Sequence, residues 1–467
     1  MTEEERDPRS GAIALMLPGP PPGPVASRSP GRPSGPLVWM ALGVAALFGL
    51  FGGPAAMTAG RSWWRPLDRA ALTIRQQALP GSARGGSDTS GQASARTSAV
   101  RQLRVRTELQ LVLDAQATAL LHGDEAAFVA PADPSEGALI GELRRRFGTL
   151  RAMKVMGWSE TLGGDPEPVE GGWRAIVKIG YCFVVAGCQP VTVPVATRWT
   201  DRAGPLSLVE FGSSGPSDLG PRPWEISELR VAVGPRTVVA VPVRYAGRLD
   251  ALLAAAEEAA AVADRYARWS APPGRYLVYL AGPEEWGSWY GARQAEWVAG
   301  FALPITERHT EIVLNGPRVT GTEVEDTLRH EFAHVVTLAD VRRDYSRQWW
   351  LVEGVAEYVR MVGRPLSEYE LLSSSRRYVR AGKPTTVAAL AEPAADASAE
   401  DASGRYGVAF LSVRWLAERF GEEKMLRFFD EVVRQGIAAP DAAAGEFGAG
   451  WGEITGECAG YVERSLG

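Results

Sequence analysis

Two histidines in the run His330-Glu331-Phe332-Ala333-His334 have the spacing of a metal site. Residues four apart lie on one face of an α-helix, so His330 and His334 can present two imidazole nitrogens to one ion. The flanking sequence predicts such a helix, because apolar residues recur at helical spacing from Val324 to Leu338 and acids occupy the first turn. This pattern predicts a zinc-binding pair of histidines on a helix.

A third ligand is expected from the next helical stretch, Trp349 to Tyr358. Catalytic zinc commonly takes three protein ligands and keeps a fourth position for water, and two histidines with one glutamate are a known ligand set. We predict Glu353 as the third ligand, because the eighteen residues between it and His334 allow an antiparallel second helix. Glu357, one turn further, is predicted to accept the second ring N–H of a ligating histidine. Glu331 remains as the base that activates water.

These two stretches resemble the gluzincin metallopeptidases. The motif is H-E-x-x-H, eighteen residues and then E-G-x-A-E-Y, and Trp350 to Tyr358 match the second helix of bacterial members without a departure. The resemblance to this family is strong over Glu323 to Met361 and weaker over Glu225 to Gly467. It implies a thermolysin-like catalytic domain that binds Zn²⁺ and hydrolyses peptide bonds, with a glutamate as general base. The family's ligand and base positions fall on His330, His334, Glu353 and Glu331.

An isolated H-E-x-x-H run also arises by chance. The chain has only four histidines, however, and two of them fall at this spacing. The downstream Glu353 in its Glu-Gly-x-Ala-Glu context favours the zinc interpretation further.

Other side chains are candidates for supporting roles. Related peptidases place a Tyr or His opposite the metal to stabilise the oxyanion; Tyr406, predicted near a helix start, is the candidate here, and a core aromatic is the alternative. Glu311 to Leu314 is predicted as the edge strand on which a peptide can lie, because gluzincins have an edge strand before the zinc helix. His309 beside it is either a substrate contact or an exposed turn residue. His122 is expected to be a helix-end or surface residue.

Composition excludes one class of partner. A length of 467 residues suggests about three units. The hydrophobic content of 45% and the charged content of 22% are ordinary for globular protein. The net charge is −5 and the sequence has no basic cluster, so it predicts no positively charged surface that would bind nucleic acid.

The N-terminal region predicts a membrane anchor. Residues 1–36 are rich in Pro, Gly and Ser and are expected to form a disordered cytoplasmic tail. Leu37 to Met57 contains no charge and is long enough to span a bilayer; a cleaved signal peptide or a buried helix are the alternatives. Residues 58–99 are predicted as a juxtamembrane segment and flexible linker.

The orientation of this anchor is not decided by charge, since the flanking arginines balance: Arg6, Arg9, Arg28 and Arg32 precede it, and Arg61, Arg65, Arg69 and Arg75 follow it. Cys182 and Cys188 are consistent with a disulfide formed in an oxidising compartment, and two buried thiols are the alternative. A short disordered tail is typical of the cytoplasmic end of a signal anchor. We therefore expect a single-pass protein of the cell membrane with its catalytic domain outside the cytoplasm.

Two folded regions are expected after the linker, and the predicted fold class is α+β. Residues 100–215 predict helices followed by consecutive strands, which resembles the cone-shaped domains of the nuclear-transport-factor-2 superfold. Residues 223–467 are predicted to form the metallopeptidase domain. The expected function is that of a membrane-anchored zinc peptidase acting on a peptide or protein substrate. A metallohydrolase of wall peptides and a catalytically silent ectodomain on a metallopeptidase scaffold are the alternatives.

Overall fold

The structure is a computed structural model that describes residues 89–185, 188–202, 204–291, 298–306, 308–341, 345–394 and 396–467. These residues form both helices and strands, which confirms the α+β class. The predicted cytoplasmic tail, the membrane helix Leu37 to Met57 and most of residues 58–99 lie outside the described residues. Within the ranges given above, no helix is long and apolar enough to cross a membrane.

Helices come first and are followed by an antiparallel five-stranded sheet. The helices are α1 (Thr89–His122), α2 (Glu125–Val129) and α3 (Gly137–Ala152). The strands are β1 (Val155–Leu162), β2 (Glu167–Val169), β3 (Gly172–Phe183), β4 (Val191–Thr200) and β5 (Ser207–Phe211). Their order is β1-β3-β4-β5, with β2 paired to β3.

The start of α1 corrects one prediction. Residues 89–98 were expected to belong to a flexible linker, but they are helical. Extending an existing helix costs much less than nucleating one, so the packed part of α1 can propagate into this Ala- and Ser-containing stretch.

One face of the first sheet packs on α1 and α3. Val191, Val193 and Val195 of β4 are buried, and the residues between them are more exposed, because successive side chains in a strand point to opposite faces. The buried valines share one core with Leu113 of α1 and Leu143 of α3. At the end of β3, Cys182 and Cys188 form a disulfide with Cα atoms 6.0 Å apart, and Cys458 is free and buried.

A second five-stranded sheet follows, with helices inserted between its strands. In chain order the elements are α4 (Pro223–Ile226), β6 (Leu229–Val233), β7 (Thr237–Pro242), α5 (Leu249–Ala263), β8 (Tyr276–Ala281), α6 (Pro283–Ser288), β9 (Gly300–Thr306) and β10 (His309–Asn315). The strand order is β6-β7-β8-β10-β9. β7, β8 and β10 are parallel, whereas β6 and β9 run antiparallel to their neighbours.

This order shows that the prediction of Glu311 to Leu314 as an edge strand is wrong. Ile312 of β10 pairs with Val278 of β8 on one side and with Ala302 of β9 on the other. The β9–β10 hairpin folds so that β10 pairs with β8, which leaves β9 as the outermost strand on this side of the sheet.

Helices form the rest of the chain. They are α7 (Glu323–Thr337), α8 (Trp349–Arg360), α9 (Leu372–Arg380), α10 (Ala399–Phe420), α11 (Glu422–Phe429), the π-helical turn Asp430–Gln435, α12 (Ala439–Phe447) and α13 (Trp451–Leu466). Tyr406 was predicted near a helix start, but α10 already begins at Ala399. Ser398 caps this helix by accepting a hydrogen bond from the N–H of Asp401. Tyr406 consequently lies inside α10 and not at its start.

Both faces of the second sheet are covered. On one face, Val278 of β8 and Ile312 of β10 share a core with Phe332 of α7. On the other face, Tyr279 of β8 belongs to the same core as Tyr181 of the first sheet. The helices that carry the candidate site and the N-terminal sheet are therefore packed on opposite sides of one sheet.

Candidate metal centre

The site begins on α7, the helix that contains the H-E-x-x-H run. Three acids in its first turn interact favourably with the helix dipole, and no side-chain hydrogen bond caps this end. His330 and His334 lie one turn apart on this helix, and both are buried. Their Nε2 atoms are 3.1 Å apart, so the two ring nitrogens converge on one region.

α8 supplies the third donor. The Oε2 atom of Glu353 lies 3.2 Å from Nε2 of His330 and 3.4 Å from Nε2 of His334. The next residue, Gly354, permits close packing on α10, because a Cβ there would come within 2.6 Å of the Ala409 carbonyl oxygen. α8 packs against both α7 and α10, and this places Glu353 beside the histidines.

The three donor atoms fit a metal ion. They form a triangle with sides of 3.1, 3.2 and 3.4 Å, and tetrahedral ligands at the usual Zn–N and Zn–O distances are about 3.3 Å apart. Neither oxygen of Glu353 has a hydrogen-bond partner among the described residues. Burying an ionised carboxylate without hydrogen bonds costs folding free energy unless a nearby cation compensates its charge. His330, His334 and Glu353 can therefore hold a metal ion.

Glu357 orients the first histidine. Its Oε1 atom accepts a hydrogen bond from Nδ1 of His330 at 2.7 Å. This assigns the proton to Nδ1 and leaves the lone pair of Nε2 for a metal. Burial raises the pKa of Glu357, but the charge of Arg360 and the bond to His330 outweigh burial and lower that pKa to about 2. Arg360 is itself buried and also donates to Glu370 at 2.7 Å.

Glu331 is buried beside the three donor residues but is not one of them. Burial raises the pKa of Glu331 to about 8, although the charge of His330 opposes the shift. Neither of its oxygens has a hydrogen-bond partner in the described part of the chain. The backbone of Ala302 on β9 also lowers this pKa, which places the edge strand beside the Glu331 carboxylate. A cation held by the histidines would favour the ionised form of Glu331, the form that accepts a proton.

Tyr406 lies beside the same group, on α10. Its ring centroid is 6.2 Å from that of His330, and its ring packs edge-on against Trp349 at 5.0 Å. The hydroxyl is buried and has no hydrogen-bond partner within the described ranges. Burial and the charges of nearby carboxylates, that of Glu353 first, raise its pKa far above the usual range. The hydroxyl therefore stays protonated and is available as a donor.

The structure brings all the predicted site residues into one buried region. They are His330, Glu331, His334, Glu353, Glu357 and Tyr406. The other two histidines lie elsewhere: His122 is exposed and contacts the Thr118 carbonyl, and His309 contacts Glu311 on β10.

Two further ionisable residues interact with the site residues, and the sequence predictions did not include them. Arg360 holds Glu357 ionised, as described above. Glu392, in the connection between α9 and α10, has a pKa raised to about 7 by burial and by the charge of Glu353. A helical spacing from Glu357 to Arg360 was visible in the sequence, whereas nothing in the Ala- and Pro-containing loop marks Glu392.

Comparison with known proteins adds no identification, since no family model and no curated protein matches the chain. The function is therefore inferred from the contacts within the site.

Proposed function

We propose that this chain is a zinc-dependent metallopeptidase with a thermolysin-like catalytic region of the gluzincin type. The observation that carries the proposal is the triangle of donor atoms from His330, His334 and Glu353. Beside it lies a second buried carboxylate, Glu331, which is not one of these donors and has no hydrogen-bond partner among the described residues. Two histidines and one glutamate match the ligand set of catalytic zinc. Zinc bound there would act as a Lewis acid and lower the pKa of water.

The chain's own residues have separable roles in peptide hydrolysis. Glu331 accepts the proton from the attacking water and passes it to the leaving amine. Tyr406 donates its hydroxyl hydrogen to the carbonyl oxygen as negative charge develops there. Glu357 holds the ring of His330 in the tautomer that binds metal.

The edge strand β9 provides a place for an extended substrate. β9 pairs with β10 on one side and is the last strand of its sheet among the described residues. An extended peptide can add to such an edge through main-chain hydrogen bonds. Ala302 of β9 lies close enough to Glu331 to influence its pKa, so a peptide on this strand would pass near the base.

A membrane anchor and an extracytoplasmic catalytic region complete the proposal. The uncharged stretch Leu37 to Met57 motivates the anchor. The Cys182–Cys188 disulfide favours an oxidising compartment for the folded part. Protease added to intact cells should then digest the chain beyond the anchor. Protection until the membrane is broken would contradict this orientation.

The deciding experiment compares metal content and peptide cleavage in the full-length chain and in Glu331→Gln. We expect about one zinc per chain in both proteins. A general base contributes about 10² to 10⁴ in rate, so cleavage of a peptide library should fall by at least 100-fold in the variant. Glu325→Gln, on the same helix but paired with Arg329, serves as the control and should cleave normally.

Each result has a distinct meaning. Zinc binding without cleavage in the parent chain would favour the catalytically silent ectodomain. Equal cleavage by the parent and by Glu331→Gln would disprove the mechanism. Full zinc occupancy in Glu353→Ala would disprove the ligand assignment.

A further inference from the structure

The two helices that carry the metal donors have a row of polar side chains along their contact. On α7, Asp326, His330 and His334 are four residues apart, so they lie on one face of that helix. On α8, Glu353 and Glu357 have the same spacing. The three donors occupy one end of this row. Asp326 lies one turn beyond His330, in the direction away from His334.

Arg360 is the last residue of α8 and lies at the other end of this row. Its side chain is 5% exposed, and carboxyl groups from three segments of the chain surround it. The Nη1 atom is 3.4 Å from Oε1 of Glu357 on α8. The Nη2 atom donates to Glu370, in the connection from α8 to α9, at 2.7 Å. The same Nη2 atom is 4.0 Å from Oδ2 of Asp326 on α7. The forked guanidinium therefore connects both site helices with the segment that follows them.

A second arginine pairs with the first turn of α7. Arg364 follows α8, forms an ion pair with Asp326 and lies 3.6 Å from Glu325. Its side chain is about a quarter exposed, and ion pairs in contact with water contribute little. Removing one partner from a buried ion pair has a larger effect, because it leaves the other charge uncompensated. Arg360 is therefore the arginine whose replacement should disturb this end of the row most.

Arg360 reaches the metal donors through a single side chain, that of Glu357. The Oε1 atom of Glu357 accepts from Nδ1 of His330 at 2.7 Å and faces Nη1 of Arg360 at 3.4 Å. The contact at Nδ1 fixes the orientation of the ring and thereby the direction in which Nε2 points. In the described ranges, the hydrogen bonds and ion pairs of Arg360 go to Glu357, Glu370 and Asp326, none of which is a metal donor.

We infer that Arg360 is a positioning residue of the metal site, which holds the carboxylate of Glu357 against the ring of His330. The inference rests on the proposed metal centre and adds a residue on which its affinity for zinc depends. The forked shape of the side chain matters, because Nη1 and Nη2 contact different carboxyl groups. A lysine ammonium is a compact point charge and does not span both groups.

The zinc affinity of the full-length chain in non-ionic detergent, measured by competition with a chromogenic chelator, tests this role. Arg360→Met removes the guanidinium and keeps an unbranched side chain. Replacing outer partners of metal ligands weakens metal binding by about 10- to 100-fold, so we expect zinc binding to weaken by about tenfold or more. Loss of a positive charge near a cation would by itself strengthen binding. Weaker binding therefore indicates lost positioning and not a changed net charge.

Glu325→Gln is the matched control. It removes a partner of Arg364 from the same cluster of charges, whereas the contacts of Arg360 do not include Glu325. Its zinc affinity should equal that of the parent chain.

A double-mutant cycle shows whether Arg360 acts through Glu357. Glu357→Gln should weaken zinc binding by itself, because its carboxylate contacts the ring of His330. If Arg360 acts through that carboxylate, adding Arg360→Met to Glu357→Gln should weaken binding by less than about threefold more. Fully additive losses would show that Arg360 acts by another route and would overturn the inference.

Arg360→Lys is the second variant, in case Arg360→Met does not fold. It keeps the charge without the fork, so it should bind zinc about threefold or more weakly than the parent. Binding as tight as in the parent, by Arg360→Lys or by folded Arg360→Met, would overturn the inference and leave the metal centre intact. A parent chain that binds no zinc would disprove the metal centre itself, which separates the two failures.

Discussion

At the residue scale, Tyr406 combines a buried position with an unused hydroxyl. Because that hydroxyl has no hydrogen bond to lose within the described structure, Tyr406→Phe should leave the free energy of unfolding unchanged or slightly increased. If Tyr406 stabilises the oxyanion, kcat should fall by about 10² to 10³ with zinc content unchanged. Peptidase kinetics and urea unfolding of the same preparation measure both effects.

Tyr378→Phe is the matched control, since the Tyr378 hydroxyl is also buried without a hydrogen-bond partner among the described residues, but it lies near Arg405 and Asp401 and not among the proposed reacting groups. A normal kcat in Tyr406→Phe would mean that Tyr406 is a core residue and does not stabilise the oxyanion. A strong loss of stability in Tyr406→Phe would show that its hydroxyl has a partner in the folded protein.

Glu160 on β1 gives a prediction about pH at a site remote from the metal. It is fully buried, accepts a hydrogen bond from Trp158 at 2.8 Å, and has a pKa raised to about 7 by burial, although Arg146 opposes the shift. An acid with a raised folded-state pKa destabilises the fold as pH rises from its unfolded value toward 7 and beyond. Glu160→Gln should therefore stabilise the protein at pH 8, by about 1 to 3 kcal/mol, and much less at pH 5.

Urea unfolding of the parent and of Glu160→Gln at both pH values checks this sign. Glu167→Gln, at an exposed position of β2, is the control for replacing a glutamate by glutamine on the same sheet. A stability difference that is equal at pH 5 and pH 8 would mean that Glu160 does not titrate in this range.

At the element scale, the approach of α8 to α10 depends on Gly354. An added Cβ would lie 2.6 Å from both the Ala409 carbonyl oxygen and Cγ2 of Val413, so the helices would have to move apart. Gly354→Ala should destabilise the fold by about 1 to 3 kcal/mol, as other overpacked core substitutions do. It should also weaken metal binding, because Glu353 is the adjacent residue.

Gly456→Ala on α13 is the matched control, because a Cβ there meets no atom within 4 Å. Alanine is the better helix former, so this variant should be stabilised by up to about 1 kcal/mol. Urea unfolding and chelator competition measure the two variants side by side. Equal stability of the two variants would show that α8 and α10 are not closely packed.

The candidate metal site of His330, His334 and Glu353 was predictable because most of it is local. Helix periodicity alone places His330 and His334 together, and a single helix–helix contact brings in Glu353. The order of β9 and β10 was not predictable in this way, since alternation along a strand identifies its faces but not its neighbours. The position of Glu392 depends on the path of an irregular connection, for which no periodic signal exists.

At the scale of the whole molecule, the two sheets share a core. Tyr181 of β3 packs on Trp224 at 5.3 Å and donates to Glu311 of β10. On the facing side of the second sheet, Leu277 and Tyr279 of β8 are buried in the same core. The N-terminal sheet therefore covers the face of the second sheet that lies opposite the candidate metal site.

This shared core predicts the behaviour of a fragment. Residues 223–467, expressed without the first sheet, would expose the apolar face that includes Leu277, Tyr279 and Val313. Large exposed apolar patches promote association, so this fragment should aggregate or bind a hydrophobic dye strongly, whereas residues 89–467 should remain monodisperse. Size-exclusion chromatography with light scattering distinguishes the two outcomes. If 223–467 is monodisperse and unfolds at the same temperature as 89–467, the first sheet contributes nothing to the stability of the metal-binding region, and its packing on β8 and β10 is dispensable.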